Sequence, residues 1–146
     1  MKKLSLIILG VLSLFILTGC STYKAYTYNV ETGDSVKVKL ITSDNYDISS
    51  EIPFSITQND DVKCSGTFIT LDGYNQYLNV VNNDPSSSII ENNSKDNLKY
   101  LFYNYNNSEW NYIIKINNSN TGVLLGSNVS IDSARDCFDR LEFIIE

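Results

Sequence analysis

Tyr26, Tyr28 and Val30 alternate with polar residues, and Val36, Val38 and Leu40 alternate again beyond the break "ETGDS". A period of two puts one set of side chains on one face of a strand, so the two runs predict a β-hairpin. "IPFSIT" and "VKCSGTFIT" flank "QNDD" and predict a second hairpin, with "SDNYDISSE" as a turn-rich connection between the two. Pro53 stands at the start of its strand, where a missing donor is tolerated. Gly66, inside the partner strand, marks a bulge or a close backbone approach.

The period changes at Asp72. Tyr74, Tyr77, Leu78 and Val81 recur at helical spacing, with Asp72 as the expected N-cap and Asn82-Asn83-Asp84-Pro85 as the stop. "SSSIIENNSKDN" reads as loop, with a short extended piece at Ile89-Ile90. Three strands follow: "LKYLFYNY", "EWNYIIKI" and "TGVLLGS". In the first, Leu98, Tyr100 and Phe102 face one way, and Leu101, Tyr103 and Tyr105 face the other. In the second, Trp110, Tyr112, Ile114 and Ile116 share a face, which places Trp110 in the core. Ser130 caps a second helix, "IDSARDCFDRL", whose Asp132 and Arg140 suit the two ends of its dipole. "EFII" closes the chain as a strand.

These elements predict an α+β single domain: a twisted antiparallel sheet with two helices packed on one face. The meander, late helix and last strand, roughly residues 97–146, resemble in element order the PsbP-like α/β sandwich seen in several bacterial lipoproteins.

Ahead of this pattern stands Met1-Lys2-Lys3, followed by the uncharged, mainly apolar run "LSLIILGVLSLFIL", Leu4–Leu17. As a helix the run reaches about 21 Å at about 1.5 Å per residue. A hydrocarbon core is about 30 Å thick, so the run suits a signal peptide better than a permanent span. It ends in Leu17-Thr18-Gly19-Cys20, which resembles the lipobox of bacterial lipoproteins. The resemblance implies that Cys20 receives a diacylglycerol and that the chain is cut before it. The expected organisation is a signal peptide over residues 1–19, a lipidated tether over 20–25 and one domain over 26–146. The domain would then sit on the extracytoplasmic face of the cell membrane. An uncleaved signal anchor with Cys20 as a bystander is the other reading.

Composition narrows the picture further. Loss of Lys2 and Lys3 with the leader takes Lys plus Arg from 11 to 9 against 17 Asp plus Glu, a net charge of −8. An acidic domain without a basic stripe does not suit nucleic acid or anionic headgroups, so the lipid has to supply the anchoring. Ten Tyr, six Phe and Trp110 give the chain enough apolar surface to fold. Apart from Cys20, two cysteines remain. Cys64 on a strand and Cys137 on a helix point toward the same core, which permits one disulfide in an oxidising compartment and equally describes two buried thiols.

Candidate chemistry is sparse. There is no His, so the commonest general base and metal ligand are both missing. Asp44, Asp47 and Glu51 lack EF-hand spacing, Asp60 and Asp61 occupy a hairpin tip, and no phosphate loop or nucleophile elbow occurs. No catalytic residue, metal site or cofactor is expected. What remains is aromatic: if helices cover the Tyr100 face, Tyr103 and Tyr105 on the other face form a surface for a ligand or partner; the other reading is that both faces are covered, or that the Tyr rings flank the sheet edge. The expected function is a non-catalytic binding module for an envelope or secreted protein. The alternatives are a surface inhibitor or immunity factor against a hydrolase or bacteriocin, and a hydrolase working without His.

Overall fold

The computed structural model describes residues 22–146; the signal peptide expected over residues 1–19 and Cys20 lie outside the described residues. The fold is α+β, with every paired strand antiparallel. A three-stranded sheet is ordered β1-β2-β10, from β1 (Tyr23–Asn29), β2 (Ser35–Ile41) and β10 (Leu141–Ile145). A seven-stranded sheet is ordered β3-β4-β5-β9-β8-β7-β6. Its strands are β3 (Tyr46–Ile48), β4 (Phe54–Gln58), β5 (Asp61–Thr70), β6 (Ser87–Lys95), β7 (Leu98–Tyr105), β8 (Glu109–Ile116) and β9 (Thr121–Ser127). Helix α1 (Leu71–Asn83) follows β5, and α2 (Ile131–Asp139) follows β9.

The main core fills the space between the two sheets. Val36, Val38, Leu40 and Phe143 of the small sheet meet Phe54, Ile56, Phe102, Ile114 and Leu125 of the large one, all essentially inaccessible to water. Helix α2 completes this layer through Ala134, Cys137 and Phe138. The Phe138 ring stacks on Tyr112 at 4.2 Å, and Tyr112 stacks in turn on Phe102 at 4.1 Å. Burial of each such ring contributes about 1.5–3 kcal/mol. Trp110 packs, partly buried, against the same core.

The two helices were expected on one face, and here the structure differs. Helix α1 lies on the opposite face of the large sheet, where Tyr74 and Val81 cover Leu101 and Ile113 in a second, smaller core. The cause is legible in the central strands. Tyr100-Leu101-Phe102, Ile113-Ile114 and Val123-Leu124-Leu125 are apolar at consecutive positions, so both faces need cover. The small sheet and α2 cover one face, and α1 covers the other.

Four local differences have local reasons. Pairing begins at Tyr23, opposite Ile41, so residues 23–25, expected in the tether, are the first rungs of β1. Tyr46 and Ile48, read as part of a connection, are buried around exposed Asp47 and form the short β3. The loop expected after α1 is a nine-residue strand, β6, with an irregularity between Ile89 and Glu91. As an edge strand it is solvated along most of its length and carries Asn and Ser in place of an apolar alternation. The N-cap of α1 is Thr70, whose hydroxyl accepts from the Gly73 amide at 3.1 Å. Asp72 falls instead in the first turn, where its charge favours the helix dipole.

Candidate functional site

Helix α1 is shorter than the face it covers. Its buried stripe sits on Ile69, Leu101, Ile113 and Leu124, and the neighbouring cross-strand row is left open. That row is set by register: Ser65 pairs with Gly126, Gly126 with Asn111, Asn111 with Tyr103, and Tyr103 with Ile89. Beyond it, Glu109 pairs with Tyr105, and Tyr105 with Ser87. Between this floor and the C-terminal half of α1 lies a groove of about 590 Å³, walled by Tyr77, Val80, Val81 and Asp84. Tyr103 and Tyr105, the sequence candidates for a partner surface, both line it.

The groove is open because its floor is small. A Cβ added at Gly126 would come within 2.6 Å of Asn111 Oδ1, so the Asn111 carboxamide lies directly over the glycine. Gly66, on the adjacent strand, faces the other way. An added Cβ there would meet the Phe54 ring at 2.2 Å, the close approach its place in the sequence suggested. The irregularity in this hairpin falls between Ile56 and Thr57, away from Gly66.

Tyr77 and Val80, 43% and 58% exposed, form an apolar rim along α1. Burial raises the Tyr103 hydroxyl above its ordinary pKa, aided by the nearby Glu109, Tyr77, Asp84 and Tyr105 groups. Tyr103 therefore stays protonated and able to donate. Among the described residues, neither Asp84 nor Glu109 forms an ion pair. Asp84 accepts from the Ser86 amide at 2.9 Å. A smaller polar extension of about 410 Å³ continues past Ser65 and Gly126 to Val62, Lys63 and Asn128. Tyr77, which sequence periodicity placed on the buried stripe, stands at the rim because it lies at the stripe's edge. No local signal in the sequence marks the rest of the site: Ser65, Gly126 and Asn111 join Tyr103 in one row only through strand register.

The other sequence candidates lie elsewhere. Cys64 on β5 and Cys137 on α2 are both buried on the main-core side. The Cys64 thiol lies 3.6 Å from the Ser133 carbonyl, one turn before Cys137. Hydrogen bonding with Cys137 and then burial push the Cys64 thiol far above its ordinary range, so it offers no thiolate. Asp47 pairs with Lys24 at 2.7 Å, and Asp44 pairs with Arg140 at 2.7 Å. Among the described residues, no three His, Cys, Asp or Glu side chains gather as metal ligands. No described helix is long and apolar enough to cross a membrane.

Comparison with known protein families, with characterised proteins and with solved structures found no match. The groove is therefore read from its own chemistry.

Proposed function

We propose that this chain is an extracytoplasmic lipoprotein, held to the cell membrane by a diacylglycerol on Cys20, whose domain binds an envelope or secreted protein without catalysis. The observation that carries the binding reading is the open groove. It has an exposed apolar rim, aromatic walls and a few convergent polar groups, the combination that marks binding sites in general. The lipid reading rests on Leu17-Thr18-Gly19-Cys20. Two acyl chains hold a protein stably where one does not.

A photo-crosslinking residue placed at Val80 tests the binding reading in intact cells. It should yield a discrete adduct that a Tyr103→Ala change removes, while the same label at Glu142 on the small sheet yields none. Equal adducts from both positions would overturn the groove as the partner site. Fatty-acid labelling that survives Cys20→Ser would overturn the anchor.

A further inference from the structure

We infer that the groove takes a cationic segment of its partner, an extended stretch presenting Lys or Arg with apolar neighbours; this rests on the binding reading above. Three independent features give the tyrosine end of the groove one sign of potential. The first is a pair of carboxylates, Asp84 and Glu109, that no described Lys or Arg neutralises. Among the described residues, no Lys or Arg lines this end. The second is the helix: α1 ends here, with Asp84 as its C-cap and no basic residue in its last turn, so the negative end of its dipole meets the groove. The third is aromatic. Tyr77, Tyr103 and Tyr105 offer ring faces, which attract ammonium and guanidinium groups. Lys63 stands only in the extension beyond Gly126, where Glu109 also lines the wall, so the tyrosine end, with Asp84 and Glu109 and no described cation, is the more negative of the two.

The shape favours a chain over a small ion. The groove is open rather than enclosing, runs across strands β5, β9, β8 and β7, and has an apolar rim at Tyr77 and Val80. A Lys or Arg stem would cover that rim while its head reaches Glu109. A secreted partner delivered to an acidic surface would also associate faster at low salt.

The test is amide NMR on the full lipidated chain in detergent micelles. The probes are short peptides alternating Lys with Val, Glu with Val and Ser with Val, together with tetramethylammonium and a neutral oligosaccharide. The Lys peptide should shift the Asn111, Tyr103 and Gly126 amides, weaken with added salt, and bind more tightly than any other probe. Glu109→Gln and Asp84→Asn should each weaken it about two- to fivefold, the size expected of an exposed charge pair. Tyr103→Ala should weaken it roughly tenfold or more. Glu109 is exposed, so its variant keeps the test alive even if Tyr103→Ala fails to fold. Equal binding of the Ser and Lys peptides in the groove, or a preference for the oligosaccharide, would overturn the cationic inference and leave the groove standing as a site. Tighter binding of tetramethylammonium would overturn the peptide. If every probe leaves the groove amides unmoved, the inference and the groove reading fall together.

Discussion

Replacing Gly66 by alanine sets a methyl group 2.2 Å from Cζ of Phe54, against the face of a ring with no accessible surface. The ring cannot step aside. Tyr28 and Phe68 hold it from two directions, with centroids at 6.1 and 5.9 Å. Over-packing a closed core site costs about 1–3 kcal/mol. Gly126→Ala, on the adjacent strand β9 opposite Ser65, is the matched control. Its methyl meets Asn111 Oδ1 at 2.6 Å, but that atom is the free end of a side chain that can swing into the groove. Loss of a strand glycine recovers about 0.5–1 kcal/mol, so the net change should stay within about 1 kcal/mol. For a domain of this size, 1 kcal/mol moves the melting temperature by about 3–5 °C. With the locked ring putting Gly66→Ala near the upper end of that over-packing range, and the same backbone gain subtracted, differential scanning calorimetry should read a Tm lower by roughly 6–12 °C. It should leave Gly126→Ala close to wild type, and groove binding should weaken only in the second variant. A wild-type Tm for Gly66→Ala, or equal losses in both, would refute the account of opposite-facing glycines.

Phe138→Ala removes the ring that bridges Tyr112 and Tyr100, whose centroids lie 4.2 and 4.7 Å away, and should cost about 3–5 kcal/mol by denaturant titration. Cys64 and Cys137 should resist a thiol reagent until the protein is unfolded. Joined by exchange with a disulfide oxidant, they should raise stability by about 4 kcal/mol, the chain-entropy value for a loop of this length; an unfolding midpoint that falls on oxidation would contradict their juxtaposition. Burial is the first cause holding the phenols of Tyr28, Tyr46 and Tyr100 at about 12, above the ordinary 10.0. A raised folded-state value means that this stabilisation is complete below pH 10 and is lost as pH climbs from about 10 to 12. Phenolate absorbance should then rise together with unfolding, and a smooth titration without loss of structure would refute it.

Most of the strand order could be read from the chain, because a strand that faces a core on one side must alternate. Tyr28-Val30 with Val36-Val38-Leu40 obey this, while the doubled apolar runs of β7, β8 and β9 mark strands buried on both faces. The reading failed where the physics removes the alternation. Edge strand β6 has almost nothing to bury, and β3 is too short to show a period. Helix placement failed for a different reason. Tyr74 and Val81 announce an apolar stripe but do not say which side of the sheet receives it. Only the doubled apolar positions in β7, β8 and β9 do. The candidate site was legible to the extent of Tyr103 and Tyr105. Tyr77, Asp84 and Glu109 join them through strand register and the end of a helix, and no local spacing encodes that meeting.

The row from Ser65 through Gly126 and Asn111 to Tyr103 hangs from strands whose alternate rungs form the main core. The groove floor and the main core thus alternate along the same segments, with the backbone as a partition between them. A guest bound there would meet a surface that folding has already fixed, with little freedom left to lose on contact. Exposed residues on the groove side could then be exchanged to retune such a guest, while the buried rungs on both faces hold the scaffold.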